Sequence, residues 1–289
     1  MNATNRIRLT KMLFIAPASL FLFLILIFPI LYTLFQSFYN KKLTQLTPPK
    51  FVGFDNYVRA LQNPEFWNSV QITVTFTVLA LAMQTVLGVA LGLLYHQTFK
   101  GRGLLRTLAI MPMAAAPVSV ALIFVMMFNP TIGVLNYLLE QIGLPKSLWI
   151  YDSHSVVPSL ALVDTWQYTP ILMIMVMAGL ASLPSEVFEQ AKIDGARGWQ
   201  TLWHILLPML RPFIVAAVVF RLNDALKTFD TVYVMTQGGP GNSSEMLNIY
   251  LYNQAFAYFN TGYASAIVIL FTLLVLLLVS LLIRGRRAN

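Results

Sequence analysis

No cysteine occurs in the 289 residues, and only 10% of them are charged. The first absence excludes disulfides and thiolate metal sites, while leaving the compartment open. The second concerns solvent. Soluble domains are about one-quarter charged, so a chain that is 57% hydrophobic with so few charges is suited to a bilayer. The phosphate-cradling pattern G-x-x-x-x-G-K-[ST] is missing as well. Gly238-Gly239-Pro240-Gly241 is glycine-rich but has no lysine after it, and reads as a turn. The three histidines, His96, His154 and His204, stand in different segments, which speaks against a metal site. No nucleophile–base pair can be assembled, so no catalytic residue is expected. No repeat, low-complexity tract or interdomain linker is visible, and residues 1–289 read as one domain.

What is present is a series of long apolar runs. A span needs about 20 mainly apolar residues, and six stretches qualify: Met12 to Phe38, Ser69 to Tyr95, Leu104 to Phe128, Val156 to Leu183, Leu207 to Met235 and Ala264 to Ile283. The first is longer than the core of a signal peptide, and its small triplet Ala16-Pro17-Ala18 precedes the run, so it reads as a retained span. Sidedness follows from the basic residues. With an inside N-terminus, twelve lysines and arginines fall on the inner side and five, at Lys41, Lys42, Lys50, Arg59 and Lys146, on the outer. The positive-inside rule then places both termini in the cytoplasm. The net charge of +8 is thereby a topology signal, and a nucleic-acid partner is not expected. Two outer loops are long enough to carry structure. Residues 40 to 67 suggest a turn and a short surface helix, and 129 to 155 a short interfacial helix.

Between the fourth and fifth spans runs LPSEVFEQAKIDGARGWQTLWHILLP. Pro184 stops the preceding span, and Ser185 caps a helix that has Glu186 in its first turn. Gly195 and Gly198 interrupt it, and a second helix near Trp199 places Trp199, Leu202, Trp203 and Leu206 on one face. The predicted unit is a helix-turn-helix on the inner membrane surface, 184–206. By its residues alone it suits an interfacial linker as well as a docking piece for a cytoplasmic partner.

This stretch resembles the EAA loop of permease subunits in binding-protein-dependent ABC importers. The matching residues are Glu189-Gln190-Ala191, Ile193-Asp194-Gly195-Ala196, Ile205 and Leu207-Pro208, with Gln190 where the family usually has alanine. A second stretch, DALKTFDTVYVMTQGGPGNSSE, resembles the fifth-span ending of the maltose and glycerol-3-phosphate branch through Phe229, Asp230, Thr236, Gly238, Gly239 and Pro240. The resemblance implies an all-α polytopic permease with six transmembrane helices and a coupling helix that docks on an ATPase. It assigns the docking surface to Glu189, Ala191, Asp194 and Gly195. The implied partners are a second homologous permease, two cytoplasmic ATPases holding the ATP and Mg, an extracytoplasmic solute-binding protein, and lipid. The implied location is the cytoplasmic (inner) membrane of a bacterium or archaeon.

Ionisable groups inside spans are costly and are functional candidates by default. Asp164 lies in the fourth span, and Arg221, Asp224, Lys227 and Asp230 follow each other at intervals of three in the fifth. Four such residues neutralise one another along a continuous helix, or they face a wet cavity or a partner. A sugar site needs hydroxyl-binding side chains and aromatic rings. Trp166, Tyr168, Asp164, Asn223 and Asp224 fit by type, polar helix packing fits them equally, and with Gln84 and Arg221 they are expected to line the substrate pathway. Pro112, Pro117 and Pro170 are expected to kink spans three and four. The reading is sugar, oligosaccharide or sugar-derivative import driven by separate ATPase subunits. The alternatives are glycerol-3-phosphate or polyol import by the same mechanism, and an ion-coupled transporter working alone.

Overall fold

The computed structural model describes residues 3–287, which are mostly helical. Five helices are long and apolar enough to cross a membrane: α1 (Phe14–Ser37), α3 (Pro64–His96), α7 (Val156–Ala181), α9 (Gly198–Leu226) and α12 (Thr261–Leu281). Two further apolar helices, α4 (Arg102–Ala114) and α5 (Pro117–Met127), meet at 100° and make a sixth such segment when counted as one span. Shorter helices complete the chain: α2 (Asp55–Gln62), α6 (Val134–Gln141), α8 (Ser185–Ile193), α10 (Asp230–Thr236) and α11 (Leu247–Tyr252). The expectation of a third span merely kinked at Pro117 is therefore corrected to a full break of the helix. Pro117 lacks an N–H and pushes the residue before it out of the helical region; Ala115 and Ala116 are extended, with ψ of 142° and 133°. Pro112 and Pro170, by contrast, lie inside their helices.

The chain divides into two compact units. The first holds the chain up to Phe66 and Leu251–Leu274. Here a two-residue ladder, β1 (Tyr39–Asn40) against β2 (Lys50–Phe51), closes the first outer loop. Asn56 Nδ2 ties α2 to it by donating to the carbonyls of Ser37 (2.8 Å) and Tyr39 (3.1 Å). Lys41 O accepts from Gly262 N at 3.0 Å, and the Arg59 guanidinium lies 4.6 Å over the Tyr263 ring.

The second unit contains Trp67–Tyr250 and the end of the last helix. One apolar core joins α3, α5, α7, α10 and α11 through Phe76, Val120, Phe124, Leu160, Val232 and Ile249. A smaller one packs Val176, Leu180 and Leu210 with Val89, Leu93 and Phe213, joining α3, α7 and α9. Glycines set the closest approach. A Cβ on Gly88 would lie 2.5 Å from Leu172 Cβ, and one on Gly92 would lie 2.7 Å from Val176 Cγ1. Small residues four apart let two helix backbones touch where apolar burial does not itself draw helices together. In the turn before α7, Asp152 Oδ2 accepts from the N–H groups of His154 (3.0 Å) and Ser155 (3.1 Å). The His154 bond holds that carboxyl below the usual carboxylate range.

Candidate functional site

Two places bring the predicted site residues together. The first is a cavity of about 340 Å³ where the break before α5, the middle of α7 and the junction of α9 with α10 converge. Tyr168, Arg221, Asp224, Lys227, Phe229 and Asp230 line it, beside Pro117. The cavity exists because two helices stop there. α5 begins at Pro117. α9 ends at Leu226, and the chain restarts as α10 at Asp230 after Phe229 adopts φ −130°, ψ −58°. A continuous fifth span to Met235 is thus corrected as well, and the alternating charges do not share one helix. None of the four forms an ion pair with another of the four among the described residues; Arg221 pairs across to α7.

Beneath the cavity Arg221, Asp164 and Gln84 form a closed triangle, and all three are buried. Arg221 Nη2 donates to Asp164 Oδ2 at 2.7 Å, and Arg221 Nε donates to Gln84 Oε1 at 3.1 Å. Gln84 Nε2 donates to the same Asp164 Oδ2 at 2.6 Å and to the Asp164 carbonyl at 3.2 Å. The triangle ties α3, α7 and α9 together. Arg221 is also the residue that reaches upward, with its guanidinium 4.2 Å from the centre of the Tyr168 ring. A buried ion pair is tolerated when its groups find further partners; Gln84 supplies hydrogen bonds to both ions, and the Tyr168 ring supplies a π face to the guanidinium.

The structure therefore sorts the sequence candidates. Tyr168, Arg221 and Asp224 line the cavity, while Gln84 and Asp164 lie beneath it as the supports of Arg221. Trp166 is 48% exposed and meets Phe124 edge-to-face, a position away from the cavity lining. Asn223 is half-buried and does not line the cavity. Sequence reasoning did not identify Thr228 and Thr231 as lining residues, and it left Lys227 and Asp230 between pairing along their own helix and facing a wet cavity. Pro117 was the available signal, because a chain break lines whatever space it opens. The break has its own support: Gln167 Nε2 donates to Ala115 O at 3.0 Å, filling a carbonyl that the bend leaves without a helical partner.

The second place is α8 and the turn after it. Glu189 and Asp194 are exposed on it. Ala191 is only 5% exposed, so the small residue assigned to the docking surface instead packs inward. Gly195 has φ +73°, and a Cβ there would meet nothing within 4 Å. What glycine supplies is therefore backbone freedom and not space. Gly195→Val is expected to cost about 1–2 kcal/mol through the left-handed conformation alone, while Gly195→Asn costs less. Limited proteolysis at the α8–α9 turn compares the two. Beyond the turn, the expected separate second helix is instead the head of the fifth span. Gly198–Thr201 passes through a π-helical segment, Leu202–Leu206, into Leu207–Leu226 without a break. Trp199 and Trp203 stand exposed on it, 5.3 Å apart and edge-to-face.

The FDTVYVMTQGGP motif opens on the cavity with Phe229 and Asp230 and closes as a tight turn. Ser244 Oγ lies 2.6 Å from Gly239 O and 2.7 Å from Thr236 Oγ1. Asn68 Nδ2 and Thr73 Oγ1 anchor the segment to α3 through Asn242 O (3.2 Å) and Leu247 N (2.8 Å). No group of three or more metal-ligating side chains occurs among the described residues.

Comparison with known proteins adds to this geometry. Residues 84–286 match the family described as binding-protein-dependent transport system inner membrane component. The trehalose/maltose transport permease MalF of Thermococcus litoralis is 33% identical over 91% of this chain and 89% of its own length. The sulfoquinovosyl glycerol transport permease SmoG of Agrobacterium fabrum is 33% identical, covering 92% and 87%. The trehalose permease SugA of Mycobacterium tuberculosis is 34% identical, covering 91% and 83%. Among solved structures, a bacterial ABC transporter involved in import of the acidic polysaccharide alginate superposes with a TM-score of 0.82, covering 99% of this chain and 96% of that one. At 23% identity that likeness speaks for the fold.

Proposed function

Because the chain belongs to the inner membrane components of binding-protein-dependent transport systems, we propose that it helps to import a sugar, oligosaccharide or sugar derivative. It does so beside a second permease, with ATP hydrolysed on two separate ATPase subunits and solute delivered by an external binding protein. The observation that supports the substrate class is the likeness, over nine-tenths of the chain, to permeases named for trehalose, maltose and sulfoquinovosyl glycerol. The cavity suits the same class. Its Tyr168 and Phe229 rings offer surfaces for the apolar faces of a sugar, and Asp224, Asp230, Thr228 and Thr231 offer hydroxyl partners. Family membership sets aside the ion-coupled reading, and glycerol-3-phosphate or a polyol stays within the same mechanism.

In this reading both termini and α8 face the cytoplasm, as the basic residues require. ATP binding closes the ATPase pair, and α8, docked through Glu189 and Asp194, carries the movement into α9. The cavity opens outward, receives solute, and reopens inward after hydrolysis. The test is solute-stimulated ATPase activity of the complex in lipid, with the binding protein and a panel of sugars and phosphorylated polyols. Glu189→Ala is expected to abolish stimulation or assembly, because an exposed carboxylate paired with a basic cleft is lost. Normal stimulation in the variant would reduce α8 to a surface linker, and stimulation by phosphorylated polyols alone would replace the sugar reading.

A further inference from the structure

A recess of about 370 Å³ lies between the end of α3, the start of α4 and the last turns of α7, apart from the cavity and from the exposed carboxylates of α8. We propose that it holds one anionic phospholipid. Its lining is two-sided in chemistry. His96, Arg102 and Arg106 give one part basic donors, and Ile174 and Met177 give the other an apolar floor. Ala178, exposed, leaves the flank open.

The charge is uncompensated. No aspartate or glutamate occurs between Glu65 and Glu140, so Lys100, Arg102 and Arg106 have no acid in their own segment. The recess is lined by none from α7 either. The ion pairs among the described residues lie elsewhere, at Lys146–Glu140 and Arg221–Asp164. Arg102 is held in place: its Nη1 donates to the carbonyls of His96 and Gln97, both at 3.3 Å. That leaves the rest of its fork of donors for a ligand. A guanidinium fork matches phosphate oxygens, and Arg106 supplies a second. Free phosphate would use the basic part and leave the floor empty. A phospholipid uses both, with the headgroup on the arginines and an acyl chain along Ile174 and Met177. Basic pockets between helices at a membrane surface are suited to anionic headgroups.

The complete transporter complex, purified in mild detergent and examined by native mass spectrometry, tests this. Phosphatidylglycerol and phosphatidylethanolamine are supplied in equal amounts. Wild type is expected to retain phosphatidylglycerol selectively, and Arg102→Gln/Arg106→Gln to retain at least about tenfold less. A control that replaces Arg284, Arg286 and Arg287 with glutamine is expected to keep the wild-type level. If the double variant does not assemble, Met177→Trp fills the floor while leaving the arginines and is expected to expel the lipid alone. Equal retention in wild type and the assembled variants overturns the proposal. So does displacement of the lipid by millimolar inorganic phosphate, which would mark a free-anion site. Photo-cross-linking of a benzophenone-maleimide-labelled Ala178→Cys variant to a partner subunit, with no lipid retained, would make the recess a protein interface instead and also overturns it.

Discussion

Arg221→Gln is expected to lower the yield and thermal midpoint of the folded protein more than any other single change in the cavity. Arg221 and Asp164 are 1% and 2% exposed, and removing the cation strands a buried carboxylate that keeps only Gln84 as a side-chain partner. Breaking a buried pair from one side costs about 3–5 kcal/mol. The double variant Asp164→Asn/Arg221→Gln removes both charges and is expected to recover much of that loss, since two neutral amides bond each other and Gln84 without a desolvated ion. Arg221→Lys is not conservative here. One ammonium cannot meet Asp164 and Gln84 from two nitrogens while stacking on Tyr168. Thermal unfolding of the four proteins in detergent is the measurement. A double variant as damaged as Arg221→Gln would show that the charges matter for something other than each other.

Gly88→Val has the second largest expected effect. The new Cβ would lie 2.5 Å from Leu172 Cβ and 3.2 Å from the Met173 backbone nitrogen, neither of which is the far end of a flexible side chain. The helices α3 and α7 must part, and overpacking of this kind typically costs about 1–3 kcal/mol or more. Parting them also stretches the triangle one turn away, where Gln84 holds Asp164. Gly103→Val on α4 is the comparison, because a Cβ there meets nothing within 4 Å. Folded yield close to wild type for Gly103→Val, and strongly reduced for Gly88→Val, is the expected pair of results.

The apolar runs made most of the fold legible. Length and hydropathy located the spans, and the helix signals Pro184, Ser185 and Gly195 located α8. Charge identity made the importance of Asp164 and Arg221 legible too. What a single sequence did not reveal was partnership. Intervals of three suggested that Arg221 bonds along its own helix, yet its partners stand 57 and 137 residues away, and nothing local encodes that. The Gly88-x-x-x-Gly92 pattern, by contrast, does mark a close helix approach locally. Trp166 misled because residue type cannot report facing. Tyr168, two positions on in the same helix, lies at the cavity, while Trp166 packs on Phe124. The breaks at Ala115–Ala116 and Lys227–Phe229 were half legible: proline marked the first, and no breaker residue marks the second.

The base of α9 differs from its upper part. A π-helical turn at Leu202–Leu206 is followed by Pro208 and Pro212, and each proline removes an N–H from the ladder. The helical ladder is weakest there, so this stretch is where a tilt of the helix costs least. From Leu206 to Arg221 is about 22 Å at 1.5 Å per residue. A tilt of about 10° at this stretch would sweep Arg221 through roughly 4 Å over that length. Hydrogen bonds do not stretch so far. The pin at Asp164 and Gln84 thus dictates what the tilt moves: α3, α7 and α9 swing as one block, and the cavity wall they carry travels with them.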